Sequence, residues 1–264
     1  MQLSGLYIYP IKSSAPLEAQ TAAVEPRGIR NDRRWMVVDA DGRFVSGREL
    51  PRLTQVRAQP NPHGLTLDAP GMPPLQVPFP QTEATVPVSV WKDDVAARPT
   101  DALADAWLSE FLQQPVRLVH MDAGVTRPMT DMHSRPGDEV SFADAFPLLL
   151  ISRASLDGLN ARLAKPVSML QFRPNLVVDG VNAHAEDGWK RIRIGGVEFD
   201  VAKACTRCVF TTIDPNRSER DPDGEPLRTL IGYRRTPDGV TFGQNLIPRS
   251  LGTVRVGDAV EVLA

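Results

Sequence analysis

A mainly β fold with a few short helices (α+β) is what this sequence predicts, and three observations carry the prediction. Twenty-four prolines and nineteen glycines in 264 residues interrupt the chain too often for long helices. Apolar–polar alternation recurs in runs of strand length, each bounded by turn residues. Helical stripes are few and short.

The elements follow in order. Leu3 to Tyr9 alternates and then meets Pro10, a first strand that delivers Lys12-Ser13-Ser14 into a loop. A lysine beside two hydroxyls suits an anionic group, although a solvated loop lysine is the plainer reading. Gly28 to Arg34 is dense in charge and leads into Trp35–Val38. Its arginines read either as a solvated rim or as an anion site, because guanidinium groups grip phosphate bidentately. Asp41-Gly42 between two β-rich runs predicts a hairpin. Short strands at Gln55–Ala58, Leu65–Leu67, Leu75–Val77 and Ala84–Val90 make a small barrel or sandwich with no helix of its own.

Asp101 opens the first helix, with Leu103, Trp107, Leu108 and Phe111 on one inward face and Pro115 closing it. Residues 122 to 140 predict a long irregular loop, of a length that is often functional. The apolar run Leu148–Ile151 is followed by Ser152, which caps a second helix with Leu156, Leu159 and Leu163 inward. Arg173 and Asn175 stand two apart at the entrance of a strand, Leu176–Val178, and so on the same side. Arg191–Ile194 turns at Gly195-Gly196 and returns as Val197–Ala202, a hairpin feeding Cys205. A charged loop (Asn216 to Glu225), the short amphipathic piece Leu227–Tyr233, a strand around Val240–Leu246 and a closing strand Thr253–Leu263 complete the chain.

Thirty basic against thirty-two acidic side chains leave no nucleic-acid footprint, so no nucleic-acid partner is expected. No apolar run reaches membrane-spanning length, and no membrane partner is expected either. The first residues lack the basic start and long apolar stretch of a secretory leader. Two cysteines cannot build a disulfide framework, which makes a reducing cytoplasm the expected location.

Both cysteines sit in Lys203-Ala-Cys205-Thr-Arg-Cys208-Val-Phe-Thr-Thr-Ile-Asp214-Pro215. A redox dithiol needs its first cysteine at a helix start, and Val-Phe-Thr-Thr-Ile is a poor one. A zinc site needs four ligands, and His63, His120, His133 and His184 show no ligand spacing. Two inert cysteines on a strand, or one thiolate ligand to a soft metal brought by a cofactor, stay open on spacing alone.

This segment resembles the signature of MOSC-domain proteins, and within them the mitochondrial amidoxime-reducing components and their bacterial relatives. Tyr9-Pro10-Ile11-Lys12-Ser13, Asp32-Arg33-Arg34-Trp35, Phe172-Arg173-Pro174-Asn175 and Phe242-Gly243-Gln244 resemble that family in the same order. The resemblance implies an N-terminal MOSC-associated β-barrel domain (1–95) and a MOSC-type β-barrel domain (96–264). It implies a molybdenum cofactor, a molybdopterin whose metal ligand falls on Cys208. Lys12, Ser13, Arg33, Arg173, Asn175, Thr206 and Arg207 become cofactor contacts; Asp144, Gln244 and Asn245 are further candidates. Cys205 is expected to be buried and inert, and Asp214 is either a proton donor or part of an Asp-Pro turn. The implied activity is reduction of a small N-hydroxylated substrate, an amidoxime or hydroxylamine. Electrons are expected from a separate reductase or ferredoxin-like protein, since no further cysteines are present to hold an iron–sulfur centre. A cofactor carrier without turnover shares every cofactor residue and is the alternative reading.

Overall fold

The structure is a computed structural model describing residues 1–264. Strands hold 39% of the residues and helices 16%, so the α+β prediction with β dominant stands. The largest sheet has nine strands. Its path runs Leu17–Glu18, Gln2–Ile8, Leu176–Asp179, Leu148–Ser152, Gly239–Pro248, Val197–Thr206, Arg191–Ile194 and Val260–Val262, with Arg235–Thr236 pairing aside. Pairing is antiparallel except between Leu148–Ser152 and Leu176–Asp179. That parallel pair requires a crossover, which helix-forming residues after Ser152 supply. Leu3, Leu6, Leu150, Leu176, Ile192, Ile194, Phe199 and Leu246 close its core without solvent contact.

A second region is built on smaller sheets. Trp35–Val38, Arg117–His120, Asp93–Pro99 and Val86–Val90 form one of four strands; Arg57–Asn61, Gly64–Asp68 and Leu75–Pro78 form one of three. Helix α1 (Ala102–Leu112) starts where Asp101 accepts a hydrogen bond from the Ala104 amide. It packs Trp107, Leu108 and Phe111 against Trp35, Leu53 and Leu65. Helix α2 (Arg153–Asn160) is capped by Ser152, and helix α3 (Leu227–Tyr233) is the short amphipathic piece.

Three local expectations are corrected. Leu103 is 69% exposed, because the core face of α1 runs Ala104, Trp107, Leu108, Phe111 at helical spacing and Leu103 precedes it by a residue. The first barrel strand runs Arg57–Asn61 and not Gln55–Ala58, because Pro51–Gln55 forms a 3-10 turn. The closing strand is two, since the chain turns at Gly257 between Gly252–Arg255, paired with Thr21–Glu25, and Val260–Val262, paired with Arg191–Ile194. Elements from both sides of position 95 therefore share cores. The strand Gln2–Ile8 lies in the nine-stranded sheet, and α1 packs with residues 35 to 79. This exchange brings the loop after the first strand against the ends of strands from the second half.

Candidate active site

That meeting place is a cleft of about 450 Å³. Of the residues expected in a site, Lys12, Ser13, Arg33, Asp144, Arg173, Asn175, Thr206, Arg207, Cys208 and Asn245 line it. Two lie elsewhere. Gln244 faces the opposite side of its strand, where its amide donates to Asp187 Oδ1 at 2.7 Å, as alternation from Asn245 dictates. Asp214 does not line the cleft; its Oδ1 accepts from the Asn216 amide at 2.9 Å, holding the turn before Pro215.

Each cation reaches the cleft from a loop that its neighbours fix. Lys12 is 5% exposed and donates to the Phe142 carbonyl at 2.7 Å and to Asp144 Oδ1 at 2.5 Å. Burial pulls the Lys12 ammonium below its ordinary pKa, and Asp144 offsets part of that. Burial alone would raise the Asp144 carboxyl, but the Lys12 charge and hydrogen bonds from Lys12 and Trp91 outweigh it, leaving the group below the usual carboxylate range. Asp144 is hemmed in by protein yet keeps 65% of its side chain open to the cleft, so this pairing is screened by water. Its loop is held by Arg127, which donates to the carbonyls of Ser141, Ala143 and Asp144. Arg127 belongs to the long irregular segment and was not singled out by sequence; an arginine in a loop carries no mark of whose carbonyls it will bind.

Arg33 is clamped by the fully buried Asp32 and by Asn175 Oδ1, at 2.5 and 2.9 Å. Asn175 completes its own bonding to the Tyr7 carbonyl at 3.1 Å, so it orients Arg33. The guanidinium groups of Arg33 and Arg173 lie 4.3 and 4.1 Å from the centroid of the buried Tyr9 ring. Burial, with the charge of Arg33 nearby, pushes Arg173 down to about 10. Arg173 donates to the Ser14 carbonyl at 2.7 Å, while its Nη2 is buried without a partner. Arg207 donates to the Phe172 carbonyl and to Cys205 Sγ, at 2.6 and 3.0 Å, and its Nε is likewise buried and unpaired.

The cysteines differ as expected in part. Both are free thiols. Cys208 caps the 3-10 turn Val209–Thr212 through its carbonyl, which accepts from Thr211 N and Oγ1, while its sulfur makes no hydrogen bond. Cys205 is not buried, a correction: it lies half-buried on the cleft wall, because the strand Val197–Thr206 is irregularly paired at its end and turns this sulfur toward Arg207. Sequence reading also passed over Phe44, Arg48 and Trp91, which line the cleft from the barrel region.

The donor set is specific in its chemistry. Buried, unpaired guanidinium edges call for an anion, since an orphaned buried donor costs about 1–3 kcal/mol. A cysteine sulfur free of hydrogen bonds beside them suits a soft metal. The residues present therefore fit an anionic, metal-bearing group.

Comparison with known proteins agrees with this architecture. Residues 1–115 match the MOSC N-terminal beta barrel domain, and residues 137–261 match the MOSC domain. Fold and site together define a MOSC-domain protein. Mitochondrial amidoxime-reducing component 1 of Xenopus laevis is 35% identical over 98% of this chain and 81% of its own length. The Homo sapiens protein of that name is 35% identical over 98% and 82%. Mitochondrial amidoxime reducing component 2 of Rattus norvegicus is 36% identical over 98% and 82%. The chain belongs to the amidoxime-reducing component family of MOSC-domain proteins. The expectation of a cytoplasmic protein is overturned by these relatives, each of which is named as mitochondrial. A low cysteine count speaks to a reducing environment and does not distinguish one such compartment from another. No helix is long and apolar enough to cross a membrane.

Proposed function

We propose that this protein reduces N-hydroxylated compounds, amidoximes and hydroxylamines, as a molybdenum-cofactor-dependent oxidoreductase supplied with electrons by a separate redox partner. The observation that carries the reading is a pair of buried donors without partners, Arg173 Nη2 and Arg207 Nε, on two arginines that line the same cleft as Cys208. Kinship with proteins named for amidoxime reduction, over 98% of the chain, supports the reaction class.

When bound, the cofactor supplies the two-electron chemistry that removal of a nitrogen-bound oxygen requires. The chain's own residues hold and orient. Cys208 offers the metal a thiolate through a sulfur free of hydrogen bonds. Lys12, Ser13, Arg33 and Arg173 would hold the cofactor's anionic part from the first loops and from the strand entrance, and Asn175 fixes the direction of Arg33. Thr206 and Asn245 from the two long strands, and Arg207 just beyond the first of them, would add further contacts to it. Asp144 keeps Lys12 charged and aimed, for without the carboxylate a buried ammonium would be disfavoured. Reduction consumes protons as well as electrons, and the open side of the cleft admits water to deliver them. Asp214, engaged in its turn, is left a structural part.

The test is reduction of benzamidoxime by molybdenum-loaded protein with a chemical electron donor. Benzamidine formation is expected. Absence of product at full molybdenum occupancy would sink the enzyme reading and leave a cofactor carrier.

A further inference from the structure

Trp91 stands where a tryptophan is costly. Strands Val86–Val90 and Asp93–Pro99 pair with Asp93 opposite Val90, so a two-residue turn, Trp91-Lys92, joins them. Trp91 holds its first position with φ of 58°, a backbone state in which glycine or asparagine is the ordinary occupant. Burial does not compensate, for the residue is 47% exposed. Backbone strain kept on an exposed aromatic is a mark of function.

What surrounds the ring says which function. The indole Nε1 donates to Asp144 Oδ1 at 3.0 Å, and the Phe44 ring meets it edge-on at 4.8 Å. The Arg48 guanidinium lies 4.5 Å from the ring centroid. Lys12, Arg33 and Lys203 each have a carboxylate, in Asp144, Asp32 and Asp131. The Arg48 side chain has no carboxylate within ion-pair distance and makes no hydrogen bond; from further off its charge helps hold the Asp144 carboxyl down, and it lines the same cleft. A half-exposed indole and an unpaired guanidinium stacked on it thus stand together on the part of the cleft wall that the barrel region supplies.

We propose that Trp91 and Arg48 form the substrate-recognising wall, selecting an N-hydroxylated compound with a planar, conjugated body that carries an acidic group. The planar body lies along the indole, and the acidic group pairs with the guanidinium fork. Only the N-hydroxyl chemistry in this statement rests on the proposed function.

The experiment compares loaded wild type, Arg48→Gln and Trp91→Asn with benzamidoxime and para-carboxybenzamidoxime. Calorimetric titration with the products, benzamidine and para-carboxybenzamidine, accompanies it. Arg48→Gln is expected to raise the KM of the carboxylated compound relative to the plain one on the order of tenfold, with the kcat ratio unmoved. Trp91→Asn is expected to raise both KM values while keeping the wild-type melting temperature, since asparagine accepts positive φ. Molybdenum and pterin per chain stay at the wild-type level in both variants. A KM ratio that does not move in Arg48→Gln overturns the wall, and so does loss of pterin, which would assign Arg48 to the cofactor. A Trp91→Asn protein that melts early with unchanged KM makes the tryptophan structural and overturns it as well. Should neither amidoxime be turned over, the proposed reaction fails, and titration still decides the wall. Selective weakening of carboxylated amidine binding by Arg48→Gln upholds it, and equal binding ends it.

Discussion

Cys208 and Cys205 occupy one motif and have different surroundings, and that difference is testable residue by residue. The Cys208 sulfur is free of hydrogen bonds in a cleft lined by arginines that each keep one donor without a partner, whereas Cys205 Sγ already accepts from Arg207. Cys208→Ser is expected to abolish amidoxime reduction and to change the X-ray absorption edge of bound molybdenum. Cys205→Ser keeps an acceptor for Arg207 and should retain activity within about threefold, a loss of under 1 kcal/mol. Equal loss from both substitutions contradicts the ligand assignment. Strain also concentrates at this scale. Ser13, Arg33, Trp91 and Arg173 are four of the eight non-glycine residues with positive φ, and all four line the cleft. Side chains are held there in backbone states that cost energy, which surrounding hydrogen bonds must over-determine.

Between elements, two contacts decide how the cleft is kept open and aligned. Gly243 has φ of +79°, and a Cβ there would lie 2.6 Å from Ile151 Cγ1 and 2.7 Å from the Leu150 carbonyl oxygen. The strand Gly239–Pro248 could not keep its distance from Leu148–Ser152 with a side chain at this point. Gly243→Ala is expected to cost about 3 kcal/mol in urea unfolding, combining backbone strain with overpacking. The second contact ties the irregular segment to the cysteine-bearing strand, where Asp131 accepts from Lys203 Nζ at 2.6 Å. Burial works to raise the Asp131 carboxyl, but bonds from Lys203 and His133 overcome it and hold the group down at about 2. A depressed carboxyl contributes stability that is complete above its ordinary pKa of 3.8 and lost as pH falls through about 2. Asp131→Asn should therefore be less stable than wild type by about 1 kcal/mol at neutral pH. The deficit should have fallen by more than half at about pH 2.5. Unfolding curves at the two pH values check it, and a deficit independent of pH would assign the effect to shape instead of charge.

For the whole molecule, the cations of the cleft come from loops far apart in the chain, so a bound anion links them. Lys12, Arg33, Arg173 and Arg207 are separated by up to 195 positions in the numbering yet meet at one cleft. A ligand that binds only the folded form adds stability, about 4 kcal/mol at a thousandfold excess over its dissociation constant. Protein loaded with molybdopterin is thus expected to melt several degrees above protein stripped of it, and Arg173→Gln should narrow the gap. Scanning calorimetry of the four samples is the check; an unchanged gap would remove Arg173 from the cofactor's contacts.

Local chemistry was legible in the sequence where a side chain acts through its own neighbours. The caps at Asp101 and Ser152 and the alternation of the strands are of this kind, because period and turn chemistry depend on adjacent residues; the motifs around Lys12, Arg33, Arg173 and Cys208 were legible only through their resemblance to a family. The placement of Gln244 and Asn245 on opposite faces was legible in principle, since alternation separates them, but which face meets the cleft is set by the neighbouring strands. Other features belong to tertiary structure alone. Arg127 binds carbonyls that come 14 to 17 residues later, Cys205 turns to the cleft at an irregular pairing, and Arg48 meets Trp91 across 43 positions. The sequence by itself determined which segments would be strands and which residues could carry charge and sulfur into a site. Only the tertiary structure decided which of them share the cleft, because that depends on how strands from both halves pair, and such pairing is a property of distant surfaces closing together.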